Sequence, residues 1–312
     1  MMYLRKVKKV SQVIVLPVVL AFFMAVSLAT SVFCGEKVTK VQEQTKLRTS
    51  AQVSKGAVEK EKKKAEHIKE ELNKKAVKAV ADTYKVLDLL EQQKTKEALG
   101  LLKKVIGELE VILAANKEAS LIPINSYTIV VDTPLSPEDI AKKINEVKKM
   151  LSQGDVQGAR LLLDTLQSEI DIVIENLPLG TYPDAMKLAS KYIIDGKINE
   201  AKSVLSIALN SMVVKKIVVP IPLVRAADLI EEASRTAKSN KEQALKYLNE
   251  AKKQLQIAKV LGYGKDDPSV YKDLQSRIDA IKKEIKGKNK AAQMFDELLK
   301  KLKEFKKRLM SS

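Results

Sequence analysis

Four stretches of the chain, 90–102, 151–163, 193–205 and 236–248, share one arrangement of apolar and polar positions. Each opens on a residue that can close a helix, continues through a short polar turn, and then places an alanine and, four residues later, a leucine. The alanines are Ala98, Ala159, Ala201 and Ala244, spaced by 61, 42 and 43 residues, and the insertion 116–133 lengthens the first interval. This is the pattern of a helix hairpin. The first helix ends before Gly-Asp or Ser-Asn, and the second begins just before an alanine small enough for two backbones to approach closely. Leu102, Leu163, Leu205 and Leu248 then share a face with Val105, Leu166, Ala208 and Ala251 one turn on. Such a pair cannot bury its stripe alone, so the expectation is that consecutive pairs stack. The units look like tetratricopeptide repeats, with a longer period and without their aromatic positions.

Proline marks the junctions between pairs, at Pro123 and Pro134, at Pro178 and Pro183, and at Pro220 and Pro222. Proline stops a helix and holds the chain extended. The β-branched runs 127–131 and 217–219 could pair with each other as a short two-stranded ladder. Ser136-Pro137-Glu138-Asp139 and Tyr182-Pro183-Asp184 read as helix starts, with proline in the first turn and acids on the helix dipole. The fold class is therefore all-α, built of stacked helix-pair repeats. A lead helix carries Ala65, Ile68, Leu72, Ala76, Ala79, Thr83 and Leu87 at heptad-like steps.

The two ends differ from this body. Residues 1–35 combine four early cations, an uncharged apolar stretch and small residues near Ala29, the order of a secretory signal peptide. A cleaved signal, an uncleaved anchor and a lipidated Cys34 remain open as alternatives. A flexible Lys/Gln/Thr stretch follows over 36–54, then the helical repeat domain over 55–280. Over 281–312 a basic amphipathic terminal helix carries Phe295, Leu298, Leu302 and Phe305 on one stripe. It could cap the array, mediate self-association, or meet an anionic membrane surface through 282–308.

Composition narrows the chemistry. The net charge is +17, yet only seven of 56 basic residues are Arg, which argues against dedicated nucleic-acid recognition. Cys34 is the one cysteine and His67 the one histidine, set among lysines that would repel a metal. No glycine-rich phosphate loop is present. Paired carboxylates such as Glu231-Glu232 suit a helix surface better than acid–base work. The expectation is a binding protein, not an enzyme, without cofactor or metal.

The junctions and repeats together resemble the YfdX family of exported bacterial proteins. The matching residues are Val130-Val131-Asp132, Glu169-Ile170-Asp171 leading to Leu177-Pro178-Leu179, Tyr182-Pro183-Asp184-Ala185, Asp195-Gly196-Lys197 with Glu200-Ala201, and Ile221-Pro222-Leu223 with Ala226. The likeness runs over about 80–261. It implies a periplasmic helical protein linked to stress tolerance, and it supplies no catalytic residues. The function expected is binding of a client protein, a peptide or a small hydrophobic compound. The alternative is a structural adaptor that tethers an anionic membrane or envelope polymer through the basic ends. Tyr127, Tyr182, Pro222 and Arg225 fall at the junctions, where stacking would line them along one groove, and they are the candidate binding residues.

Overall fold

The computed structural model of the protein describes residues 47–67, 72–287 and 291–310. The export signal, Cys34 and most of the 36–54 stretch lie outside the described residues. That stretch ends in structure, because helix α1 (Ser50–His67) already begins at Ser50. The proposed lead helix is two elements. Asn73 accepts the Lys75 and Ala76 N–H groups on its side-chain oxygen and so starts α2 (Lys74–Glu91) as a separate helix.

The four predicted hairpins are all present. They are α2 with α3 (Thr95–Ala115), α4 (Pro137–Ser152) with α5 (Val156–Asp164), α6 (Tyr182–Ile194) with α7 (Ile198–Leu209), and α8 (Ile221–Thr236) with α9 (Lys241–Val260). The alanines of the repeat are buried in every pair. Three residues after the closing apolar residue, the first three turns need a left-handed backbone. Gly154 and Gly196 supply it at φ +81° and +75°, while the first turn forces it on Gln93 at 61°. Two further helices, α10 (Pro268–Lys286) and α11 (Ala292–Met310), complete the chain.

The junctions are strands. Between the pairs run β1 (Leu121–Val131), β2 (Glu169–Pro178) and β3 (Val213–Pro220), forming one antiparallel sheet in the order β1-β2-β3. The runs 127–131 and 217–219 are both extended, but they do not pair with each other. Each pairs with β2, with Ile129 opposite Asp171 and Ile217 opposite Ile172. The central strand alternates Ile170, Ile172 and Ile174 on one face with Asp171, Val173 and Glu175 on the other, the period of a strand with two unlike faces.

These strands decide how the pairs stack. A strand of this length carries the chain roughly 30 Å at about 3.3 Å per residue. β1 takes the chain away from the first pair, β2 brings it back, and β3 takes it away again. The first and third pairs consequently pack together, α3 on α6 and α2 on α7, around Leu102, Leu109, Met186 and Leu205. The second pair meets the fourth instead, through Ile140, Leu166 and Ile257. Stacking is between alternate pairs, which corrects the expectation of consecutive stacking.

One repeat position fails for the same reason. Leu102, Leu205 and Leu248 are fully buried, but Leu163 is 46% exposed. Helix α5 packs substantially only on α4, so no second layer covers it. The basic terminal helix, by contrast, is inside the fold. Phe295, Leu298, Leu302 and Phe305 are buried with Tyr247, Tyr271 and Leu274 in the core formed by α8, α9, α10 and α11. Helix α1 joins this core through Val53 and lays Ala57 and Ala65 under the isoleucine face of the sheet. None of the described helices is long and apolar enough to cross a membrane.

Candidate functional site

Antiparallel strands that shuttle the chain bring alternate junction ends together. The end of β1 lies beside the start of β2, which lies beside the end of β3, so Val131 faces Glu169 and Glu169 faces Pro220. The residues just outside these ends meet in space although they are far apart in sequence. Asp132 leaves β1, Ser168 precedes β2, and Arg225 stands in the second turn of α8 directly after β3.

Asp132 is held by three donors. The Arg225 guanidinium gives Nη1 to Oδ1 at 3.2 Å and Nη2 to Oδ2 at 2.6 Å, and the Ser168 hydroxyl donates to Oδ1 at 2.8 Å. A two-pronged guanidinium–carboxylate contact fixes orientation as well as charge. Thr133 anchors the same turn by donating to the Thr165 carbonyl at 3.0 Å. The Ser168 carbonyl accepts the Ile221 N–H at 2.9 Å, which ties the start of α8 to the start of β2.

The network continues across the sheet. Tyr263 lies between Gly262 and Gly264, both at positive φ, and an added Cβ at Gly264 would also strike the Phe305 ring. Its hydroxyl accepts the Ser168 N–H at 3.1 Å and donates to Glu169 Oε2 at 2.9 Å. Burial pushes the Tyr263 phenol pKa well up, the negative charge of Glu169 adds to this, and the Ser168 N–H opposes it. Lys216 donates to Glu169 at 3.2 Å and pairs with Asp171 at 2.7 Å. Hydrogen bonding to Asp171 raises the Lys216 ammonium, burial lowers it, and Glu169 adds to the rise.

Next to the Arg225–Asp132 pair opens a cleft of about 630 Å³. One wall is α1, with Ser50, Ser54, Lys55 and Glu59; the other is Arg225 with Glu250 and Gln254 of α9. Gln254 is only 7% exposed and donates from Nε2 to Glu250 at 3.0 Å. Its Oε1 and the Nε of Arg225 are buried without a hydrogen-bond partner. An acceptor and a donor left unused in two residues that line a cleft are each costly to bury unpaired, so a small side-chain shift that turns them to an incoming polar group lowers the free energy.

The four candidate residues separate. Arg225 lines the cleft. Tyr127 is exposed on β1, opposite Val173. Tyr182 and Pro222 do not reach a surface: both are buried, Tyr182 at the start of α6 among the first and third pairs and Pro222 in the first turn of α8. The continuous groove along one edge is therefore not formed, since two of the four residues are buried in the cores and Tyr127 stands apart on the sheet. The reading of single junction residues missed Asp132, Ser168 and Gln254 as site residues. Gln254 carried a signal, a polar side chain at a core position between Ala251, Leu255 and Ala258. Asp132 was legible only as part of a motif.

Residues 79–218 match the family model described as YfdX protein. The match ends within β3, so Ile221-Pro222-Leu223 and the rest of α8 lie beyond it. A solved structure of Salmonella Typhi YfdX is 21% identical over 48% of this chain and 93% of that one, with a TM-score of 0.34, too low to carry geometry across. No curated protein matches the chain. Of the cleft residues, only Asp132 falls in the matched segment.

Proposed function

We propose, for a chain whose residues 79–218 match the YfdX family model, a non-catalytic binding role in the periplasm connected with stress. The cleft between α1 and the α8/α9 pair is the site, and a segment of an unfolded client polypeptide is its occupant. The observation that carries this reading is the pair of unused buried groups, Arg225 Nε and Gln254 Oε1, beside a cleft of mixed charge. A peptide backbone offers a donor and an acceptor at every residue and would meet both once a small side-chain shift turns them to the cleft. A small hydrophobic compound would meet neither, and it is the poorer fit.

The basic terminal helix supports the adaptor reading less well. Its apolar stripe is committed to the core, so what it turns outward to an anionic surface is lysine charge. Salt separates the two readings. Binding of a labelled, reduced and unfolded polypeptide should change less than ~3-fold between about 0.05 and 0.5 M salt, because the partners are largely shielded from solvent ions. An adaptor would instead bind vesicles of anionic phospholipid and release them steeply over that range. Vesicle binding without polypeptide binding overturns the client reading.

A further inference from the structure

The two edges of the sheet are not alike. On β3, Lys215 and Lys216 place charge in the strand, the usual protection of an edge against pairing with another chain. β1 contains no charged residue in its eleven positions, although the chain as a whole is 30% charged. Its last five residues, Tyr127-Thr128-Ile129-Val130-Val131, are the β-rich composition most prone to pair. Ile129 and Val130 are successive and 45% and 40% exposed, so the strand is uncovered on both faces there.

The backbone of this edge is also unspent. Among the described residues, the backbone hydrogen bond that β1 makes outside the sheet is the one from the Asn73 N–H to the Pro123 carbonyl, before the irregularity at 123–125. Beyond it β1 pairs only with β2. At its far end the strand runs directly into Asp132, which lines the cleft.

We propose that the outer edge of β1 over 127–131 is a docking strand for an extended, uncharged segment of a client polypeptide, which adds as a fourth strand and passes Asp132 into the cleft. Main-chain hydrogen bonds give such pairing its affinity with little demand on sequence, which suits unfolded clients of many kinds. The absence of charge along β1 leaves a charge on the added strand no opposite charge to pair with, so a neutral, β-branched segment pairs best across it. Lys55 and Glu59 at the cleft mouth then meet the charged residues that flank such a segment in a soluble client. The inference rests on the client reading above for its occupant, and on the strand edge alone for its location.

The test uses the full chain and a short, labelled, N-acetylated peptide alternating valine with threonine. Binding should be saturable. Ile129→Lys, at an exposed position, should weaken it at least ~10-fold by guarding the edge, with no change in melting temperature. Val214→Lys on the other edge should leave it unchanged. The same peptide N-methylated at alternate residues should fail to bind. Equal affinity for the Ile129→Lys protein overturns the proposal. So does sedimentation showing a wild-type dimer that Ile129→Lys dissociates and that excludes the peptide, because the edge then serves a second copy of the chain. Loss of peptide binding in Ile129→Lys with unaltered binding in a cleft-blocked protein keeps the edge and removes the cleft.

Discussion

Replacing Tyr182 by alanine is expected to destabilise the protein by about 3–5 kcal/mol, the range for emptying an aromatic position in a packed core. Tyr182 has no exposed surface and stands where the start of α6 meets α2, beside Thr83 and Met186. The first and third pairs meet mainly through such buried residues, so the void falls at a contact between layers, where collapse is resisted from both sides. Urea denaturation measures the effect. Tyr127→Ala, at a position 40% exposed, should cost no more than about 1 kcal/mol by the same measurement. Equal costs at the two positions would mean that the first and third pairs do not form one core.

Alkaline pH should unfold the protein early. Burial pushes the Tyr182 phenol up to about 12, with the neighbouring Thr83 hydroxyl opposing in part, and burial likewise raises Tyr263 and Tyr271. The sign follows from which state keeps its proton. Above about pH 10 an unfolded tyrosine loses its proton while the buried one retains it, so the unfolded state is favoured as pH rises. Stability is complete below that point and falls progressively above it. For Tyr182 alone the loss by pH 12 is roughly 2–3 kcal/mol. Lys216, whose pKa is raised by Asp171, acts in the same direction. Urea midpoints measured from about pH 8 to 11 should therefore decline at the top of the range, less so in Tyr182→Phe. A flat profile would contradict the burial of these phenols.

Local structure was far more legible in the sequence than arrangement. The hairpins follow from a turn, an alanine and a leucine at fixed offsets, and all four are where that pattern places them. The prolines that mark the β2 junction hide the strand, because Pro178 is its last residue and the strand lies before it. The alternation of Ile170, Ile172 and Ile174 with Asp171 and Glu175 stood there to be read. Stacking order could not follow from the repeats, since it is set by strands that reverse the chain between them. Without the sheet, the repeat pattern gives Leu163 a partner layer that does not exist and lines the junction residues along one groove.

The site shared that limit. Asp132, Ser168 and Arg225 become neighbours only through antiparallel pairing of β1, β2 and β3. Singly, Arg225 stands out as a junction residue and Asp132 as part of a family motif, while Ser168 carries no signal without the strand it precedes. Gln254 comes from α9 and the serines of the opposite wall from α1, elements whose placement no motif announces.

Ser54→Trp tests the binding cleft most directly, because it fills the space from the α1 wall and leaves the Arg225–Asp132 pair intact. The measurement is the affinity for a labelled, reduced and unfolded polypeptide, read beside the melting temperature. The cleft reading predicts affinity lower by at least ~10-fold with the melting temperature unchanged, as for loss of a central contact at an interface. Undiminished affinity in the Ser54→Trp protein would contradict it.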